Sequence, residues 1–441
     1  MTASSPDLVL SGGTVHTPAG SAVADIAVRD GKIIGIGSYP DAARRIDCRG
    51  LDVLPGVIDS QVHFREPGLE HKEDLESGSR AAALGGITAV FEMPNTSPNT
   101  DSADRVAEKL KRAHHRMHCD HAFYVGATGA NADELAELER IPGTAGVKVF
   151  MGASTGDLLV AEDEPLARVL ASGSRRVAIH AEDEARMQSR QDQRVEGDPA
   201  SHPVWRDDES AMLATKRIIK LARKAKRPIH ILHISTPAEF EYIAQHRDIA
   251  TCEVTPQHLT LAGEAAYPRL GTFAQMNPPI RSKAHRDGLW HWVGQGVPDV
   301  IGSDHAPHTR DEKAKNYPAS PSGMPGVQTL LPLMLDHVAN GRMTLERLIE
   351  MTSTSVQRVF GLVGKGRIAY GYDADFTIID RNSSFTITED WLASRCGWSP
   401  FTGMELNGRV VGTIVRGHVA MWETELGDTA QGEALNFASA L

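Results

Sequence analysis

Five side chains suited to metal or acid–base chemistry stand at or near the ends of apolar runs: His63, Lys148, His180, His233 and Asp304. The first run is followed by Asp59-Ser60-Gln61-Val62-His63-Phe64-Arg65-Glu66-Pro67-Gly68, and the second by Pro94 and Asn95. Imidazole nitrogen together with carboxylate oxygen is a donor set for zinc or a harder divalent cation. Any one of these histidines alone reads as structural; their joint placement on separate strands points to a site. Lys148 lies inside Gly146-Val147-Lys148-Val149-Phe150-Met151, where it would be desolvated. Desolvation favours the neutral, nucleophilic amine. Such an amine can add carbon dioxide and become a carbamate, an anion able to bridge two metals. The other reading is a lysine that snorkels or is ion-paired at the strand end, and the sequence leaves both standing.

The elements that must carry these residues alternate. Apolar strand candidates lie at residues 53–58, 88–93, 122–125, 147–151, 177–179, 229–234, 250–254 and 300–301. Helical patterns such as 104–113, 132–139 and 210–224 separate most of them. Strand then helix, eight times over, predicts an α/β fold with a parallel sheet closed into a TIM-like (β/α)8 barrel. The C-terminal strand ends of such a barrel meet at one mouth, where active sites lie. Both ends of the chain read differently. Residues 7–10, 25–28 and 32–36, with Asp30-Gly31 as a hairpin signal, and residues 374–379, 410–415 and 419–422 are short β segments. They predict a small β-sandwich domain from residues 1–54 and 366–425, around a barrel of 55–365 and before a C-terminal tail of 426–441.

Composition narrows the function. The 441 residues carry 46 basic and 57 acidic side chains, a net charge of −11, which argues against a nucleic-acid surface. No apolar run approaches the roughly 18 residues that span a bilayer, and MTASSPDLVL shows no secretory signal. Four cysteines without CxxC spacing indicate neither a disulfide framework nor a thiolate zinc site, and a reducing cytoplasm is the simplest location. His114, His115, His118 and His121 read as a solvated basic helix end, His114, His118 and His121 sharing one face if the helix runs that far. His230, three residues before His233 in a strand, should point to the opposite face and pack. Residues 216–227 read as an outer barrel helix with its charges in water. Ser11-Gly12-Gly13 lacks the lysine and helix of a P-loop.

Gln61-Val-His-Phe-Arg-Glu-Pro-Gly-Leu, Glu92-Met-Pro-Asn, Met276-Asn-Pro-Pro-Ile-Arg and Ser303-Asp-His-Ala-Pro-His-Thr together resemble the dihydroorotases, cyclic amidases of the amidohydrolase superfamily. The resemblance runs from about residue 7 to residue 422. Related allantoinases and dihydropyrimidinases share the ligand pattern but typically not the His308 segment. The resemblance implies one or two Zn2+ ions per chain, with an N6-carboxylated Lys148 bridging the metals, His180 and His233 on the second metal, and His63 and Asp304 on the first. It implies Arg65, Asn95 and Asn277 on a substrate carboxylate, with His308 also touching substrate. It further implies that residues 309–326 form a mobile loop, with Pro325 and Gly326 near the substrate ring.

The implied reaction interconverts L-dihydroorotate and N-carbamoyl-L-aspartate in pyrimidine biosynthesis, using metal-activated hydroxide with Asp304 as general base and then acid. The partner is a small-molecule substrate, with no nucleic acid or membrane. A homodimer or an aspartate transcarbamoylase partner is compatible with the resemblance.

One residue departs from the family pattern: Gln61 replaces the first His of His-x-His. Glutamine is a neutral, weaker oxygen ligand. A two-metal site with one weakened position, a one-metal site and a non-catalytic relative that scaffolds aspartate transcarbamoylase all fit that change. Another cyclic amidase, such as an allantoinase, is the remaining alternative. A second departure, Thr255-Pro256-Gln257-His258 where relatives commonly pair two histidines, carries no assigned role.

Overall fold

The computed structural model describes residues 5–153 and 158–438. Strands β1 (Leu8–Thr17), β2 (Gly20–Arg29) and β3 (Lys32–Gly37) form an antiparallel meander, and β4 (Arg44–Asp47) and β5 (Asp52–Pro55) follow. Asp30 and Gly31 take φ of 49° and 70°, the left-handed pair required by a two-residue type I′ hairpin.

The chain then leaves this sheet within one residue. Gly56 separates β5 from β6 (Val57–Val62), so the single strand expected over residues 53–58 is two strands in different sheets. Both are buried throughout, and a continuous apolar run carries no periodicity to mark such a break. A Cβ on Gly56 would overlap Thr88 Oγ1 and come 2.8 Å from Asp375 Cβ, which explains the glycine at the crossing.

β6, β7 (Ile87–Glu92), β8 (Asp120–Gly126), β9 (Thr144–Phe150), β10 (Val177–His180), β11 (Ile229–Ile231), β12 (Ala250–Val254) and β13 (Val300–Ile301) pair in sequence order, all parallel. A Val62–His305 bridge closes the ring, with the His63 N–H donating to the His305 carbonyl at 2.7 Å. Strands β6 to β11 are buried on both faces, the reason they read as apolar runs without alternation. One face meets an inner cluster that includes Ile58, Phe91, Tyr124, Ala178 and Leu232. The other meets helix residues such as Val106, Leu166, Ile218, Phe240 and Leu289.

The helix expected over 210–224 spans Asp208–Ala225, capped by the Asp207 carboxylate accepting from Ser210 N–H at 3.0 Å. That expected over 132–139 shrinks to one turn, Leu135–Leu138. The helix Ala103–Ala113 stops before the histidine run, so His114, His118 and His121 share no helix face; His121 is buried in β8.

β14 (Phe376–Thr386), β15 (Glu405–Val415), β16 (His418–Trp422) and β17 (Glu425–Leu426) return to the outer sheet, β14 lying antiparallel to β5. The outer β domain is built from both termini as expected, its nine strands hydrogen-bonded in the order β17-β16-β15-β14-β5-β1-β2-β3 with β4 on β1. It has its own core of residues such as Leu8, Ile26, Val53, Phe376 and Ile414. Residues 432–438, expected in a tail, cross the barrel end where β8 begins. Leu435 N–H donates to the His121 carbonyl at 2.8 Å, and Phe437 packs edge-on against Phe91. Among the described residues no helix is long and apolar enough to cross a membrane.

Candidate active site

Gln61, His63, Lys148, His180, His233 and Asp304 line one small cavity at the mouth of the barrel, and Arg65 and Asn277 reach the same space. Lys148 and His180 lie in β9 and β10; His63, His233 and Asp304 follow β6, β11 and β13. The chain must bend sharply to present several of these side chains. Arg65, His233 and Asp304 take φ of 64°, 39° and 44°, left-handed values that non-glycine residues rarely adopt and that cluster at functional sites. β11 ends at Ile231, so His230 and His233 do not follow strand alternation. His230 is buried, 2.9 Å from Thr251 Oγ1 and 3.2 Å from Glu253 Oε2, the packing residue expected from its position.

The donors fall into two groups. His180 Nδ1 and His233 Nε2 face each other at 3.0 Å, and His180 Nε2 lies 3.0 Å from Glu182 Oε2. Burial lowers the pKa of both rings and keeps them neutral, the form that ligates a metal. His233 Nδ1 is buried without a hydrogen-bond partner. Lys148 is buried, and desolvation brings its ammonium down to about 7. Its Nζ lies 4.4 Å from the centroid of the Phe150 ring, and no ion pair involves it among the described residues. Those conditions suit the neutral amine needed for carbamate formation better than a paired lysine.

In the second group His63 Nε2 is 3.3 Å from Asp304 Oδ1, and His63 Nδ1 is 2.7 Å from Asn95 Oδ1. Burial, reinforced by Arg65 and Lys148, brings His63 down to about 4. Gln61 Nε2 donates to Asp304 Oδ1 at 3.0 Å. No group of three or more His, Cys, Asp or Glu side chains is poised to hold a metal among the described residues. With a Lys148 carbamate as the added anion, His180, His233 and Lys148 fit a metal ion. Gln61, turned to Asp304 by its N–H, fits the family's first position poorly.

Arg65 is fully buried beside this set. Its Nε donates to the Pro307 carbonyl at 3.1 Å, and one terminal nitrogen lies 3.3 Å from His308 Nε2. Burial lowers its pKa to about 10, and it forms no ion pair among the described residues. Asn277 Oδ1 is 2.9 Å from His202 Nε2. Asn95 and His308 stand one layer back, contacting His63 and Arg65. Gly326 N–H donates to His305 Nδ1 at 3.1 Å, and neither Pro325 nor Gly326 lines the cavity. Ser322 and Gly323 line it instead, so residues 309–326 do cover the site. That segment is not structureless: it includes the helix Arg310–Lys313. Lys313 Nζ donates to the Gln275 and Pro321 carbonyls at 3.0 and 2.8 Å.

A sequence model of the amidohydrolase family matches residues 53–420. The chain belongs to the amidohydrolase family. Amidohydrolases are generally metal-dependent, in keeping with this donor set. The chain is 39% identical over 428 residues to a dihydroorotase of Halobacterium salinarum, covering 96% of each protein. It is 35% identical over 435 residues to an allantoinase of Escherichia coli K12, covering 94% of each. The solved L-hydantoinase (dihydropyrimidinase) of Arthrobacter aurescens superposes with a TM-score of 0.92 at 31% identity, covering 97% of this chain and 99% of that one.

Several residues of this amidohydrolase site escaped sequence reasoning. Glu182 is fully buried and accepts from Arg206 at 2.6 Å; its position two residues after His180 was the available signal. His202 bridges Asn277 and the covering segment, 3.4 Å from both Ser322 Oγ and Tyr317 OH, and no local pattern marks it. Phe150 sits two residues past Lys148 on β9 and forms part of the cavity wall. Gln257, in the segment given no role, donates to the Ser303 carbonyl at 2.6 Å and braces the turn that carries Asp304.

Proposed function

We propose that this amidohydrolase interconverts L-dihydroorotate and N-carbamoyl-L-aspartate in pyrimidine biosynthesis. The observation that carries the choice of substrate is Arg65, a buried guanidinium at the barrel mouth with no carboxylate bound to it among the described residues. A buried cation is stable only when paired, and a substrate carboxylate supplies the partner in bidentate form. Dihydroorotate bears such a carboxylate next to its cyclic amide; allantoin and hydantoin do not. Asn277 lines the same wall and offers its amide to that group. Asn95 orients the His63 ring, and the Pro307 carbonyl holds Arg65 by accepting from its Nε.

Lys148 prepares the site before turnover. Its neutral amine forms an N–C bond with carbon dioxide and releases one proton, leaving a carbamate anion. Zinc held by His180, His233 and that carbamate would lower the pKa of water and polarise the ring carbonyl. Asp304 accepts a proton from the attacking water as the O–C bond forms. It returns that proton to the ring nitrogen as the C–N bond breaks, and runs the same steps backwards in cyclisation. A subunit that only scaffolds aspartate transcarbamoylase would not need Lys148, His180, His233, Arg65 and Asp304 around one cavity.

The test is steady-state turnover of L-dihydroorotate and N-carbamoyl-L-aspartate, with allantoin and hydantoin as competitors for the assignment. We expect turnover of the first pair only, and its loss in Asp304→Asn with the fold retained. Faster hydrolysis of allantoin, or wild-type rates in Asp304→Asn, would overturn the proposal.

A further inference from the structure

We infer that this chain holds one metal ion, beside His180 and His233, and that the Gln61 amide takes the place of the family's first metal. The inference rests on the metal-dependent reading above and adds what Gln61 does. Gln61 is buried, and its Nε2 donates to Asp304 Oδ1 at 3.0 Å, the same oxygen that stands 3.3 Å from His63 Nε2. The orientation of the amide follows from charge: turning Oε1 to the carboxylate would set two acceptors against each other. A metal at that position needs the opposite, with acceptor atoms converging on it. Gln61 Oε1 is buried without a hydrogen-bond partner, so the side chain gives up one hydrogen bond to keep its N–H on Asp304.

The backbone supports that orientation. Asp59 Oδ1 accepts from the Gln61 N–H at 3.1 Å and from the Ser303 N–H at 3.0 Å, tying the segments that carry Gln61 and Asp304 to one carboxylate. The amide therefore supplies the positive end of a dipole to Asp304 without neutralising it. Asp304 is then a base held in place by Gln61, and Gln61 is a positioning residue. His180, His233 and Lys148 are untouched by the substitution, because none of them contacts Gln61 through a hydrogen bond.

The experiment is metal stoichiometry by elemental analysis on the full chain. The protein is loaded with excess zinc in bicarbonate and separated from free ion by gel filtration. We expect about one zinc per wild-type chain and about two in Gln61→His, which restores an imidazole donor. Gln61→Glu, of nearly the same shape, replaces the N–H with an anionic oxygen and is also expected to bind about two. About two zinc ions per wild-type chain, or none, would overturn the inference. So would a folded Gln61→Glu that stays at one. N-Carbamoyl-L-aspartate cyclisation by the same samples keeps the two proposals apart. One metal without turnover refutes the reaction and leaves the stoichiometry, whereas two metals with turnover do the reverse.

Discussion

Glu182→Gln separates bracing of the fold from orientation of a ligand. The Glu182 carboxylate is fully buried, accepts from Arg206 at 3.1 and 2.6 Å, and lies 3.0 Å from His180 Nε2. Burial pushes its pKa up, but Arg206 and His180 outweigh that and hold it well below the usual carboxylate range. Glutamine preserves the volume and removes the charge, leaving Arg206 buried without its anion, a loss of about 3–5 kcal/mol. An unfolding entropy of about 2.1 cal/mol/K per residue over 441 residues gives about 0.9 kcal/mol/K, so Tm should fall by about 3–5 °C.

A carboxylate behind a metal-binding histidine contributes about 10–100-fold in metal affinity, or about 1.4–2.7 kcal/mol. Calorimetry on metal-free protein reads the first effect, and zinc competition against a chromophoric chelator reads the second. Because the folded pKa is depressed, this stabilisation is complete above the unfolded value near 4.3. It is lost as pH falls towards the folded value, so the gap between wild type and variant should narrow below about pH 4. A lowered Tm with unchanged zinc affinity would refute the claim that Glu182 orients His180.

Arg65→Lys keeps the charge but loses the fork, and kcat/KM for L-dihydroorotate should fall by about 10–100-fold, mostly through KM; steady-state kinetics check this. Burial lowers Lys313 to about 7 from an ordinary 10.5, so the folded state binds fewer protons than the unfolded between those values and stability rises with pH there. Chemical denaturation of wild type and Lys313→Met should show their stability difference changing by about 1.4 kcal/mol per pH unit in wild type's favour across that window; a flat difference would mean the lysine stays charged in the fold. Gly56→Ala should cost about 1–3 kcal/mol by overpacking against Thr88 and Asp375, and an unchanged Tm would show that the crossing relaxes.

The barrel was legible because its strands are buried on both faces and its helices are amphipathic, so strand and helix runs alternate visibly. The split at Gly56 was not, since adjoining buried strands of two sheets look like one apolar run. Residues at the ends of barrel strands announced themselves by type: His63, Lys148, His180, His233 and Asp304 reach one cavity. Supporting contacts were hidden because they join distant segments. Glu182 meets Arg206 across 24 residues, and His202 meets Asn277 across 75. Which residues on the covering segment reach the cavity also depended on its path: Ser322 and Gly323 do, Pro325 and Gly326 do not. The histidine run at 114–121 is not the solvated helix end expected, because the helix stops at Ala113 and His121 is buried in β8.

The pairing of β5 with β14 sets an order of assembly during synthesis. Val53 lies opposite Ile378 in the outer sheet, so that sheet cannot complete until almost the whole barrel has left the ribosome. The barrel floor waits longer, for Leu435 and Phe437 to arrive and cover Phe91. Nascent chains short of residue 376 leave the edge of β5 that faces β14 unpaired, and long-range pairing of this kind is slow and aggregation-exposed. The mouth lies at the opposite end of the strands, and every residue that lines its cavity precedes both β14 and the segment that covers the floor.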